Sequence, residues 1–166
     1  MYQLLAVCPM GLEAIVAREI QDLGYKTTVE NGRIFFEGDE EAIAKCNLWL
    51  RTADRIKLVV GRFKATTFED LFESTKALPW ETIIEEGGQF PVQGRSVKST
   101  LHSVPDCQAI VKKAIVERLK QAFNIKGWID EISSKYPIEV ALLKDEALLT
   151  VDTSGSGLNK RGYRVA

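Results

Sequence analysis

The amino-acid sequence predicts an α+β fold in two consecutive units, and three observations carry that reading. Over residues 1–65, short apolar runs and stretches with helical spacing follow one another in the order βαββαβ. Within that order, Asn31-Gly32 separates two strand-like runs, and both residues tolerate the positive φ of a tight hairpin. The strongest amphipathic helix falls in the second half of the chain, between stretches that read as strands, which sets a mixed α/β unit behind the first.

Each element has its own signal. Tyr2 to Val7 is a buried strand by its continuous apolar character. Leu12, Ile15, Val16, Ile20 and Leu23 then recur at helical spacing, and Gly24 stands where a helix C-terminal glycine belongs. Lys26–Glu30 and Arg33–Glu37 form the hairpin around Asn31-Gly32. Asp39 is placed to cap a second helix with Ile43, Cys46 and Leu50 turned inward. Arg55–Lys64 reads as a strand with Ile56, Leu58 and Val60 on one face and a bulge at Gly61. This order is the split βαβ pattern of ferredoxin-like domains.

The second unit opens with Thr67 and Asp70 as a capping box ahead of Phe68, Leu71, Phe72 and Leu78, and Pro79 ends that helix. Residues 81–89 read as a loop or a short turn and Pro91–Leu101 as extended chain. Ser103 and Pro105 start the long helix, on which Ile110, Val111, Ala114, Ile115, Leu119 and Phe123 keep a clean period. Ile138–Leu143 and Ala147–Val151 are two more strands, joined by a tight turn at Asp145-Glu146. The boundaries that follow are 1–65, 66–155 and a trailing linker, 156–166.

Composition excludes several classes. With 45% hydrophobic and 27% charged residues, the 166-residue chain is an ordinary globular one, and its net charge of -1 calls for no polyanionic partner globally. Three widely spaced cysteines (Cys8, Cys46, Cys107) and one histidine, His102, argue against zinc and against a disulfide framework. Buried reduced thiols place the protein in the cytoplasm. Leu5-Ala6-Val7-Cys8 has no basic stretch before it and does not make a lipoprotein signal, and no run is long enough to span a bilayer.

Charge is sorted within the second unit. From Glu69 to Glu86 six acids face Lys76 alone. From Val92 to Lys126 seven bases (Arg95, Lys98, Lys112, Lys113, Arg118, Lys120, Lys126) stand against Asp106 and Glu117. Lys160, Arg161 and Arg164 follow, with no acid after Asp152. A solvated helix face explains such sorting in many domains, but a concentrated positive face is also what phosphate binding requires, because each neutralised phosphate releases counterions. Tyr163 between Arg161 and Arg164 adds a platform on which an unpaired base can stack.

The glycines at Gly155 and Gly157, following an apolar strand, raise the possibility of a dinucleotide loop. Only nine residues remain after Gly157, and they include no acid for a ribose and no amphipathic helix, so that loop fails on context. Gly87–Gly94 lacks the Lys-Ser/Thr ending of a phosphate loop, and Cys107, near a helix start, reads as packing. His102 has no obvious nucleophile partner. No catalytic set emerges.

The stretches "GRSVKSTLHSVPDCQAIVKKAIVERLK" and "LLTVDTSGSGLNKRGYR" resemble the THUMP domain of bacterial RNA methyltransferases, in the branch that modifies guanine N2 of large-subunit ribosomal RNA. "GLEAIVAREIQDLGY" and "ENGRIFFEGD" resemble the ferredoxin-like domain that precedes THUMP in those enzymes. The resemblance implies that the two domains grip structured RNA, ribosomal RNA above all, and that residues 156–166 lead toward a class I methyltransferase domain, absent here, that binds S-adenosylmethionine. It implies no cofactor in this chain: the Asn/Asp-Pro-Pro-aromatic motif of such catalysts is missing, since no proline has a proline neighbour. Carried over residue by residue, the RNA contacts are Arg95, Lys98, Ser99, Lys112, Lys113, Lys160, Arg161, Tyr163 and Arg164, the last four serving equally well as a docking tether for the catalytic domain. Asn159 stands where the family often has histidine, which removes any role that needs an imidazole there. Three alternatives remain open: the THUMP module of a transfer RNA methyltransferase, that of a thiouridine synthetase, and a ferredoxin-like sensor of small molecules.

Overall fold

The computed structural model describes residues 1–30, 32–49 and 55–159, which fall into two compact units: Met1–Val59 with the stretch from Asp152, and Val60–Val151. Strands and helices alternate in both, giving the mixed α/β architecture that the periodicities predict.

The first unit runs β1 (Tyr2–Val7), α1 (Glu13–Asp22), β2 (Thr27–Glu30), β3 (Arg33–Gly38), α2 (Glu40–Trp49) and β4 (Arg55–Lys64), the last strand continuing past Val59 into the second unit. The strand order is β2-β3-β1-β4. Strand β3 pairs antiparallel with both β1 and β2, so β1 and β2 run parallel with β3 inserted between them, the ferredoxin-like arrangement. Register decides the core: Leu4 lies opposite Phe36 on one side and Leu58 on the other, and all three are nearly inaccessible. Val16 and Ile20 of α1 and Ala42, Ile43 and Cys46 of α2 are buried as their spacing requires. Asp39 Oδ1 accepts the Ala42 N–H at 3.0 Å, the expected cap. Gly24 has φ +101° just past α1. Leu50 and Asn31 lie outside the described residues.

The second unit contains the end of β4, then α3 (Phe68–Lys76), a 3-10 turn (Trp80–Thr82), β5 (Val92–Val97), α4 (Val104–Ala122), β6 (Ile138–Leu143) and β7 (Glu146–Asp152). Its strand order is β4-β7-β6-β5, with β5 and β6 parallel and β6 and β7 antiparallel. A parallel pair needs a crossover, and α4 provides it. Val111, Ala114, Ile115 and Leu119 pack its apolar stripe inward.

Two local expectations are corrected. The β6–β7 turn is Lys144-Asp145, one residue earlier than expected, because Leu143 pairs with Glu146 and both turn residues have positive φ (49° and 65°). The extended run stops at Val97, since Lys98 turns left-handed at φ 49°. At Gly61 a Cβ would lie 2.6 Å from Leu78 Cδ2, so glycine lets Leu78 approach the strand. Val60 is only half-buried. Residues 81–89 hold the end of a short 3-10 turn and irregular chain, as expected, with Ile84 fully buried; the flanking Trp80 and Phe90 are fully buried as well, and Trp80 Nε1 donates to Thr75 O at 2.7 Å. Among the described residues no helix is long and apolar enough to cross a membrane.

Candidate nucleic-acid interface

Strand β5 lies at an edge of its sheet, and α4 crosses it closely. A Cβ at Gly94 would meet Gln108 Cγ at 3.1 Å and Val104 Cγ1 at 3.4 Å, so the absence of a side chain sets that approach. Because side chains alternate along a strand, Gly94 and Ser96 turn toward α4 while Arg95 and Val97 turn away. Arg95 is therefore on the face opposite the α4 lysines, with Glu139 Oε1 3.9 Å from its Nε.

The two halves of the expected basic strip also separate along the strand. Lys112 Nζ donates to Phe90 O at 2.9 Å, which places it near the start of β5, whereas Lys98 follows the end of β5. A six-residue strand spans about 20 Å. Lys112 is also engaged by an acid and a ring: its Nζ donates to Glu131 Oε1 at 2.7 Å and lies 3.7 Å from the Phe90 ring centroid. Burial works to raise the Glu131 pKa, but the bonds from Lys112 and the Phe90 N–H outweigh it and hold that carboxyl below its ordinary value. Arg118 is engaged as well, forking onto Glu81 with Nε to Oε2 at 2.8 Å and NH2 to Oε1 at 2.7 Å. These two members of the basic helix hold the unit together. Lys113 remains exposed, its Nζ 5.9 Å from the Phe72 ring.

At the far end of β5 the chain is tied to the β6–β7 turn. Ser99 Oγ donates to Val97 O at 3.0 Å and accepts the Asp145 N–H at 3.1 Å, so its hydroxyl positions the loop. Asp145 Oδ1 accepts the Thr100 N–H at 2.6 Å, and Lys144 N donates to Val97 O at 3.1 Å. That Thr100 bond is the main cause of a lowered Asp145 pKa, with Lys64 contributing from the end of β4. Lys98 is exposed there, and so are Lys64 and Lys144, which no sequence motif singled out because they come from different elements.

Burial, helped by Asp106, raises the Cys107 thiol pKa against any activating effect of the α4 N-terminus, in keeping with a packing role. His102 Nδ1 lies 3.1 Å from Thr100 O, a local contact. In the closing stretch, Asp152 Oδ1 accepts the Ser154 N–H at 2.9 Å and its hydroxyl at 2.7 Å, while Asp152 Oδ2 accepts Arg55 NH1 at 2.6 Å. Thr153 Oγ1 donates to Ile56 O at 2.7 Å and accepts from Asn47 Nδ2 at 3.1 Å. The chain then forms a single helical turn, α5 (Ser156–Asn159), with Leu158 buried. Lys160, Arg161, Tyr163 and Arg164 lie outside the described residues.

Comparison with known proteins agrees with this architecture. Residues 3–57 match the family model of the RlmL ferredoxin-like domain, and residues 65–152 match that of the THUMP domain. A Bacillus subtilis (strain 168) protein named as an RNA methyltransferase, YpsC, is 61% identical over 99% of this chain, which covers 43% of that relative. Ribosomal RNA large subunit methyltransferase K/L of Ectopseudomonas mendocina (strain ymp) is 32% identical over 99% of the chain, which covers 23% of it. The crystal structure of a predicted N6-adenine-specific DNA methylase from Listeria monocytogenes str. 4b F2365 superposes with a TM-score of 0.90 at 61% identity, covering 99% of this chain and 43% of that one. The chain thus spans less than half the length of these relatives, and it belongs to the THUMP-domain family, with an RlmL-type ferredoxin-like domain in front.

Proposed function

We propose that this chain is the RNA-gripping part of an S-adenosylmethionine-dependent RNA methyltransferase that acts on guanine N2 of large-subunit ribosomal RNA in the cytoplasm. In this reading residues 1–65 and 66–155 hold structured RNA, and residues 156–166 lead toward a catalytic domain that binds the cofactor and carries out the transfer. The observation that carries the reading is the THUMP match over residues 65–152 on a unit whose exposed bases include Arg95, Lys98 and Lys113. The name of the relative from Ectopseudomonas mendocina supports ribosomal RNA as the substrate. The DNA methylase name of the Listeria protein belongs to a chain of which this one covers 43%.

Filter binding to a ribosomal RNA hairpin and to duplex DNA of equal length, at two salt concentrations, tests this. Preferential RNA binding that weakens with salt is expected, together with no detectable S-adenosylmethionine binding by the 166-residue chain. A Lys160, Arg161 and Arg164 triple-alanine variant divides the two roles of the closing stretch. A shallower salt slope assigns it to phosphate, and wild-type binding assigns it to docking. Tight cofactor binding, or a preference for DNA, would overturn the proposal.

A further inference from the structure

We propose that Lys64, Lys98 and Lys144, brought from three separate elements to one end of the second unit's sheet, form a clamp for a backbone phosphate of the bound RNA. The inference rests on the RNA-binding reading above and names residues that neither the sequence nor the comparisons assign together.

The juxtaposition is carried by backbone. Lys144 N donates to Val97 O at 3.1 Å, one residue before Lys98. Ala65 N, one residue past Lys64, donates to Asp145 O at 2.8 Å, one residue past Lys144. Three ammonium-bearing residues far apart in sequence are therefore anchored around a single turn. All three are exposed.

Ion pairing divides the bases of the unit, and Lys113, Lys120 and Lys126 share with this end the lack of a carboxylate within ion-pair distance among the described residues. Arg62, Lys76, Arg95, Lys112 and Arg118 each have a carboxylate within ion-pair distance: Glu146, Glu117, Glu139, Glu131 and Glu81. Among the described residues Lys98 and Lys144 have none. The two acids nearest in the chain are already engaged, Asp145 with the Thr100 N–H and Glu146 with Arg62. The Asp145 carboxylate offsets part of the charge of Lys64, which leaves this end with an excess of positive charge that a phosphate can neutralise. Lys98 and Lys144 also occupy left-handed backbone, φ 49° each, where glycine or asparagine is the low-energy choice. The turn geometry thus favours other residues at both positions, and a demand for positive charge accounts for lysine at each.

The test uses Lys144→Gly, Lys64→Ala and the double variant against the same ribosomal RNA hairpin, with Lys45→Ala as a charge-matched control on α2 of the first unit. Glycine at position 144 suits the left-handed backbone, so folding is preserved, and thermal melting checks it. A contact to one phosphate contributes about 0.8 to the salt slope, which corresponds to roughly 6-fold in affinity at 0.1 M salt. Each single variant is expected to lose part of that and the double variant most of it, with Lys45→Ala unchanged. If wild type binds RNA and the variants keep its affinity and slope, the clamp is refuted and RNA binding stands. If wild type fails to bind RNA at low salt, the functional reading falls and the clamp falls with it.

Discussion

Replacing Asp152 tests how the closing stretch is held. Its carboxylate is buried and accepts three hydrogen bonds, from the Ser154 N–H, the Ser154 hydroxyl and Arg55. The Arg55 side chain is 62% exposed, so that ion pair contributes little, about 0.5 kcal/mol. The Ser154 hydroxyl can turn to water. The bond from the backbone N–H to a charged acceptor is the larger contribution, about 2 kcal/mol. Asp152→Ala should therefore lower unfolding free energy by about 2–3 kcal/mol. Asp152→Asn keeps an acceptor for Ser154 and should lose about 1 kcal/mol. Urea denaturation read by tryptophan fluorescence measures both. The pH dependence has a definite sign. Burial acts to raise the Asp152 pKa, but the Ser154 bonds and Arg55 outweigh it and leave it lowered. A carboxylate with a lowered folded pKa stabilises above its unfolded value, near ~4, and that stability is lost as pH falls through the folded value. The gap between wild type and Asp152→Ala should accordingly shrink in acid. Equal stability of all three proteins at pH 7, or a gap that widens in acid, would refute the reasoning.

Three further outcomes are expected. Lys112→Ala should lower stability by about 1–3 kcal/mol, because it leaves Glu131 without its ammonium, yet keep the RNA salt slope; Lys113→Ala should do the reverse, and paired melts and filter binding compare them. Gly88→Ala puts a Cβ 2.8 Å from Tyr136 Cε1 and 2.9 Å from Ile84 Cγ2, both on buried side chains. It should cost about 1–3 kcal/mol by chemical denaturation. Burial pushes the Cys46 thiol up to about 12 and also raises that of Cys107, so Ellman's reagent at pH 8 should titrate only Cys8 in native protein and all three thiols in urea.

The parts of the fold legible in the sequence are those where one local signal decides the structure. Hydrophobic spacing located α1 and α4, positive-φ residues located the hairpin, and Asp39 marked the start of α2. The missed core residues, Trp80, Ile84 and Phe90, lie in irregular chain, where no period exists to show which side faces inward. The site was legible in composition and illegible in arrangement. Sequence clustering assembled Lys112, Lys113 and Arg118 on one helix, but residues one, five and six positions apart on a helix point in different directions, and two of the three meet acids folded in from distant segments. Lys64 and Lys144 stood outside every cluster because a sheet gathers its strand ends from remote parts of the chain. Long-range pairing is not local information.

The left-handed lysines make that last point measurable, since binding and folding pull in opposite directions there. A non-glycine residue in this region costs roughly 1–2 kcal/mol, and a glycine gives back about 0.5–1 kcal/mol of that in unfolded-chain entropy. Lys98→Gly and Lys144→Gly, at φ 49° in each case, should leave stability unchanged or raise it by up to about 1 kcal/mol. Removing a lysine from a cluster of like charge adds to the gain at low salt. The same substitutions should weaken RNA binding. Stability that rises while affinity falls identifies residues kept for function at a cost to the fold. A loss of more than about 1 kcal/mol on either glycine substitution would mean that the lysine stems hold the turn through packing, and the clamp would then need a structural explanation for both residues.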